Sequence, residues 1–177
     1  MSGEKTIQQF PHNLTDEARQ KLSPNFLGYL KPGENDVIGE INGWPIKEVK
    51  IHANIAILNP GEVAISGKFA LCSAVIAKKG DQLFVMHIYP KRANQTDEFI
   101  QRMKEQEMIG EDERFDQILL IGREAILHQE AMSKISKTNP QIITLGVEPN
   151  DRYFNLLVFN NPESPGDVTS FDLWFDE

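Results

Sequence analysis

The chain has 177 residues, of which 40% are hydrophobic and 25% are charged, and its formal net charge is −8. This length and composition suit a single globular domain with a sizeable core. The acidic balance, without a cluster of Lys and Arg that could neutralise several phosphates, argues against a nucleic-acid partner. A single cysteine excludes an intramolecular disulfide, and the four histidines add none of the spacings typical of a structural zinc site.

The first 44 residues differ in character from the rest, with several prolines and one short predicted helix at Thr15–Leu22. We interpret residues 1–44 as an N-terminal extension packed on a domain that spans residues 45–177. The first ten residues lack the apolar stretch of a Sec signal peptide, and no apolar run approaches the roughly 18 residues that span a bilayer. We therefore expect no membrane insertion, and a protein that is either cytoplasmic or exported as an effector without such a signal.

From Trp44 onward, segments rich in Val, Ile, Leu and Phe alternate with turn residues and then with helices. In chain order they predict strands at Val49–Leu58, Glu62–Ser66, Phe69–Ala77 and Gln82–Tyr89, a helix at Thr96–Met108, a strand at Phe115–Ile121, a helix at Arg123–Lys137, and strands at Gln141–Val147, Tyr153–Phe159 and Phe171–Phe175. This order predicts an α+β fold: a β-sandwich of mixed, mostly antiparallel strands, flanked by helices.

The third and fourth of these predicted strands bring the only cysteine towards a histidine. We predict a hairpin with a four-residue loop at Lys78–Asp81, so that Ala77 pairs with Gln82. In that register Cys72 lies directly opposite His87, on the same face of the sheet, with Cβ atoms roughly 4.5–5.5 Å apart. The inference depends on the register, because a one-residue shift would send the two side chains to opposite faces.

A thiol beside an imidazole supports acyl transfer from an amide. The imidazole of His87 can take the proton of Cys72, so that the sulfur attacks an acyl carbon, and can later protonate a leaving amine and activate water. A third group should orient the imidazole. Ser66, which we place before a tight turn at Ser66-Gly67-Lys68, is the candidate for that role.

Each of these residues also has a structural interpretation. A lone cysteine in an apolar strand is commonly a small buried side chain, and a lone histidine is commonly a satisfied structural one. Ser66 beside Gly67 is typical of a turn. We expect His128 on an exposed helical face, away from the thiol. The sequence by itself leaves both interpretations of Cys72 and His87 open.

Three short motifs resemble a known superfamily. Asn59-Pro-Gly-Glu-Val-Ala-Ile-Ser66, followed by Leu71-Cys72-Ser-Ala-Val and then Met86-His87-Ile-Tyr-Pro90, resembles the core of the chemoreceptor glutamine deamidases of the CheD family. That family has Thr or Ser, then Cys, then His followed closely by Pro, in this order. The cytotoxic necrotizing factor toxins share the Cys–His arrangement and the fold. The resemblance covers roughly residues 49–160.

The resemblance implies a catalytic set of Cys72 as nucleophile, His87 as base and Ser66 as the hydroxyl that sets the imidazole. The implied reaction converts a glutamine side chain of a protein substrate to glutamate and releases ammonia, without metal or organic cofactor. Ala70-Leu71 stand where CheD has Gly-Ser before the cysteine. A host protein is therefore as good a candidate target as a chemoreceptor.

Two other functions remain open at this stage. One is a non-enzymatic binding or adaptor module that keeps a CheD-like fold, with Cys72 buried and inert. The other is a transglutaminase, in which the same thiol transfers the acyl group to an amine in place of water.

Overall fold

The computed structural model describes residues 37–41, 43–49, 55–89, 93–105, 108–146 and 153–175. Within these ranges, ten strands and few helices follow one another: β1 (Val37–Ile41), β2 (Trp44–Glu48), β3 (Ala56–Leu58), β4 (Val63–Phe69), β5 (Ser73–Lys79), β6 (Gln82–Ile88), α1 (Ala93–Glu105), β7 (Gln117–Gly122), a 3₁₀ helix (Ala125–His128), α2 (Gln129–Ser133), β8 (Gln141–Thr144), β9 (Phe154–Phe159) and β10 (Phe171–Phe175). None of these helices has the length and apolar character that a bilayer crossing requires.

The strands form two five-stranded sheets. The first has the order β1-β2-β4-β9-β10 and the second the order β3-β6-β5-β7-β8. Only the pairs β2–β4 and β7–β8 are parallel among the described strands. The protein is therefore a mixed α+β structure with two sheets and few helices, as the sequence predicts.

The main core lies between the two sheets and draws inward-facing side chains from both, such as Ala64 and Leu156 of the first and Ala74 and Val85 of the second. A second core covers the other face of the second sheet, where Met103 and Met132 belong to helices. The central strands of that sheet are therefore buried on both faces. This is why β5, β6 and β7 read as nearly continuous apolar runs instead of alternating ones.

The hairpin of β5 and β6 has a different register from the predicted one. Lys79 pairs with Gln82, so the turn is the two-residue Gly80-Asp81, with Gly80 at φ +60°. The residue opposite His87 is Ala74, and the prediction that placed Cys72 there is wrong by two positions. A shift of two keeps the side-chain alternation, so Cys72 and His87 still face the same core.

The predicted turn at Ser66-Gly67-Lys68 is also wrong, because β4 continues through it. Ser66 pairs with Leu156 and Phe69 pairs with Phe154, so three steps along β4 match two along β9. This is a β-bulge, and Phe69 therefore ends β4 instead of starting β5. The chain then crosses from the first sheet to the second through Ala70, Leu71 and Cys72, which we call the crossing segment.

The predicted helix at Arg123–Lys137 is instead a 3₁₀ turn followed by the five-residue α2. Helix α1 begins at Ala93, three residues before the predicted start of the helix at Thr96–Met108. Strands β9 and β10 match their predictions to within one residue.

The proposed boundary after residue 44 falls inside strand β2, which begins at Trp44. β1, inside the predicted extension, pairs with β2 at the edge of the first sheet. Residues 1–36, and with them the predicted helix at Thr15–Leu22, lie outside the described residues. The extension itself stays a prediction.

Candidate active site

Cys72 lies at the end of the crossing segment, immediately before β5. Its side chain is 4% exposed and belongs to the core between the sheets, whereas its neighbour Leu71 is 46% exposed. The thiol is thus buried one residue away from the surface. The β5–β6 pairing begins at Ser73, and its extension by one residue would put Cys72 diagonal to His87; Cys72 packs in the same core as Ala74, the residue opposite His87. Diagonal neighbours in a regular pair are roughly 7–8 Å apart, within reach of long and aromatic side chains.

The imidazole of His87 is held by the hydroxyl of Ser66. Ser66 Oγ lies 2.9 Å from His87 Nδ1, and both side chains are buried. The same oxygen donates a hydrogen bond of 2.6 Å to the backbone oxygen of Val49. The Val49 peptide is fixed in turn, since its N–H donates to the backbone oxygen of Ile65.

These two contacts determine which ring nitrogen of His87 carries the proton. A hydroxyl has one hydrogen, and the Val49 carbonyl can only accept, so the Ser66 proton is committed to that carbonyl. Ser66 Oγ must therefore accept from His87, whose Nδ1 is the protonated nitrogen. In the neutral ring, Nε2 then carries the lone pair that a general base requires.

The face of the imidazole is fixed by an aromatic stack. The ring of Phe69 lies 3.7 Å from the ring of His87 at 12°, and its other face stacks on Phe154 at 4.5 Å and 9°. The bulge in β4 is what allows this arrangement. Ser66 and Phe69 are three residues apart and would face opposite ways in a regular strand, but the extra residue turns both towards His87.

Burial raises the pKa of the Cys72 thiol to about 11, with a partial offset from a hydrogen bond to its own backbone. The thiol is therefore protonated at neutral pH. A standing thiolate–imidazolium pair is not the resting state of this geometry. A base that removes the proton during attack is required for the sulfur to act as a nucleophile.

The structure thus brings Ser66 into contact with His87 and puts Cys72 on the same face. Val49, Phe69 and Phe154 complete the surroundings of the imidazole, and the sequence analysis missed them. Gly67 was the available signal for the bulge, since an isolated glycine within a strand pattern indicates one.

The other histidines lie elsewhere or outside the described residues. His128 is 2% exposed at the junction of the 3₁₀ turn and α2, so its predicted position on an exposed helical face is wrong. Within the described ranges, no group of three or more His, Cys, Asp or Glu side chains could hold a metal ion.

Comparison with protein-family models and with the curated proteins found no match. The family therefore stays a prediction from the motifs quoted above.

Proposed function

We propose that this protein is a cysteine-dependent protein-glutamine deamidase with a CheD-like fold. The observation that carries the proposal is the pair of hydrogen bonds on Ser66 Oγ, because they leave Nε2 of His87 as the basic nitrogen. That nitrogen belongs to a side chain on the same inward face as the single thiol. The order Ser, Cys, His in the motifs and the two packed sheets support the same family.

The first half of the proposed reaction breaks the amide. As the sulfur of Cys72 attacks the side-chain carbonyl carbon of a glutamine, its proton moves to Nε2 of His87. The C–S bond forms, and the imidazolium returns that proton to the leaving nitrogen, which departs as ammonia. A thioester between Cys72 and the glutamyl side chain remains.

The second half consumes one water. His87 takes a proton from water as its oxygen attacks the thioester carbon, and the C–S bond breaks. The proton returns to the sulfur, which restores the thiol, and the substrate keeps a glutamate. Ser66 keeps Nδ1 protonated through both halves, so the same nitrogen acts as base and acid in turn.

The burial of the reacting groups fits a substrate that inserts a side chain. Leu71 is exposed and Cys72 is buried next to it, so a reacting carbonyl must pass the surface to meet the sulfur. A glutamine side chain carries its amide at the end of a flexible stem, which suits such an approach better than a backbone amide does. Exclusion of water around the pair would also favour proton transfer between Sγ and Nε2 over loss of the proton to solvent.

Ammonia release tests the proposal. Unfolded casein and a blocked Gln-Gly dipeptide serve as glutamine donors, and mass spectrometry locates each Gln-to-Glu conversion. We expect wild type to release ammonia and both Cys72→Ala and His87→Asn to lose at least a hundredfold of that rate. His128→Asn, at the other buried histidine, should retain it. Equal release by Cys72→Ala and wild type would refute the proposal.

The burial of the thiol favours a second candidate, a binding or adaptor module in which Cys72 is inert. A raised pKa and 4% exposure are what a structural cysteine shows. Iodoacetamide separates the two functions. Labelling of the native protein at neutral pH, lost in His87→Asn, supports the enzyme; labelling only after denaturation supports the module.

A further inference from the structure

The crossing segment carries the proposed nucleophile, and only Cys72 of its three residues is buried. Leu71 is 46% exposed, and the segment lies between strands of two different sheets. A nucleophile displaced by about an ångström loses much of its rate, so a segment of this kind needs anchors outside itself.

One anchor is the guanidinium of Arg123, which directly follows β7. Its Nη1 donates to the backbone oxygen of Ala70 at 3.1 Å, and its Nε donates to the backbone oxygen of Gly146 at 3.2 Å. A guanidinium is planar, so its N–H groups keep a fixed spacing. Arg123 therefore sets the distance between the crossing segment and the chain that follows β8.

The second anchor is the close approach of Gly122 to the backbone around Cys72. A Cβ at Gly122 would lie 2.7 Å from Ser73 Oγ, 3.1 Å from the Cys72 backbone oxygen and 3.2 Å from the Ser73 Cα. The end of β7 thus packs closely against the peptide bond between Cys72 and Ser73. Beside it, Arg123 holds the carbonyl two residues before the thiol.

We propose that Arg123, placed by Gly122, is a positioning residue that fixes the crossing segment and so aims the thiol of Cys72 at its base. The inference rests on the proposed function for its catalytic meaning. That Arg123 fixes the crossing segment can be tested separately, without any enzymatic activity. Arg123 donates to the Ala70 and Gly146 carbonyls, and its effect on the chemistry passes through the Ala70 carbonyl.

The test compares wild type with Arg123→Lys, which keeps the charge and loses the planar fork, and with the exposed Arg114→Lys as the matched control. In Arg123→Lys we expect Cys72 to react several-fold faster with iodoacetamide at mildly alkaline pH, because a looser segment exposes the thiol. We expect ammonia release to fall at least tenfold in kcat with KM unchanged. Global unfolding would also speed labelling and lower the apparent kcat, so both rates are compared at equal folded fraction, checked by urea unfolding of each variant. Arg114→Lys should match wild type in both.

Backbone relaxation of ¹⁵N-labelled wild type gives a readout that needs neither activity nor a variant. The Leu71 and Cys72 amides should show order parameters of about 0.85, as in rigid strands, and Arg123→Lys should lower them towards 0.6. Low values in wild type, or labelling and order parameters unchanged in Arg123→Lys, would overturn the proposal. Absence of ammonia from wild type would refute the proposed function alone, while labelling and relaxation would still decide the positioning role.

Discussion

The most informative single change is Ser66→Ala, because one oxygen atom makes both hydrogen bonds that define the imidazole. The variant removes the acceptor of His87 Nδ1 and the donor to the Val49 carbonyl. Both partners are buried away from water. Each buried polar group that loses its partner costs about 1–3 kcal/mol, so the free energy of unfolding should fall by about 2–6 kcal/mol.

The same change should alter the chemistry of the ring. Without an acceptor at Nδ1, the proton is no longer kept there and the basic nitrogen is no longer restricted to Nε2. We expect ammonia release to fall about a hundredfold. Ser66→Thr, which keeps a hydroxyl, should restore most of it.

Three measurements check this prediction. Urea unfolding gives the change in free energy, the ammonia assay gives the rate, and ¹⁵N NMR of His87 at neutral pH reports which nitrogen is protonated. Ser133→Ala is the control, since that hydroxyl bonds a backbone oxygen at the surface of α2 and should cost no more than about 0.5 kcal/mol. If Ser66→Ala destabilises no more than the control and leaves Nδ1 protonated, then Ser66 does not determine the tautomer of His87.

Three further predictions concern the thiol, a glycine and an asparagine. The folded state keeps the Cys72 proton that the unfolded state loses, so stability should fall as pH rises from about 9 to about 11, by up to about 2 kcal/mol, and Cys72→Ala should abolish this loss in urea titrations. Gly122→Ala should destabilise by about 1–3 kcal/mol, whereas Gly110→Ala, where the nearest atom is 3.5 Å away, should change stability by less than about 0.5. Asn160→Ala removes two buried hydrogen bonds and one partly buried one, which join Asn160 to Leu58, Asp81 and Gly166, and should cost about 3–5 kcal/mol in thermal or urea unfolding. The half-buried Asn161→Ala should cost less than about 1 kcal/mol, and equal losses would contradict the prediction.

The general architecture could be predicted because apolar runs and turn residues dominate the folding of this chain. Strand β10 has its predicted bounds, since five residues alternate between buried and half-buried between polar neighbours. The prediction that Cys72 and His87 lie on the same face of the sheet also remains correct, because a two-residue error in register preserves the alternation of side chains.

The register itself could not be predicted from the hairpin sequence. Lys78 and Lys79 read as loop residues, yet both pair with β6 and remain half-buried. Contacts from distant residues hold them there. The N–H of Asp116 donates to the Lys78 carbonyl, and a carboxylate oxygen of Asp116 accepts from Gly80 N–H, so a residue more than thirty positions away shapes the turn.

The 3₁₀ turn could not be predicted, because the spacing of apolar residues in this segment is typical of an α-helix. Leu127, Ala131 and Ile135 lie four apart and indicate one buried helical face, but Leu127 is 55% exposed and only Ile135 is fully buried. The spacing of apolar residues favours a continuous helix here, but packing against the second sheet selects a 3₁₀ turn followed by the short α2.

The candidate site was likewise predictable only in part. Sequence order identified Ser66, but its role depends on the Val49 carbonyl and on a bulge that turns Phe69 inward. Both come from pairing between distant segments, and no local pattern encodes a carbonyl as the second partner of a hydroxyl. The direction of the Ser66 hydrogen bond is therefore a result of the structure alone.

The central claim is that Cys72 attacks glutamine amides with His87 as its base, and covalent capture tests it most directly. A glutamine peptide carrying a diazoketone in place of the side-chain amide is incubated with native protein at neutral pH, and peptide mapping locates the adduct. We expect an adduct on Cys72 in wild type and in His128→Asn, and at least a hundredfold slower capture in His87→Asn. Capture at equal rates in His87→Asn and wild type, or no adduct on native Cys72, would contradict it.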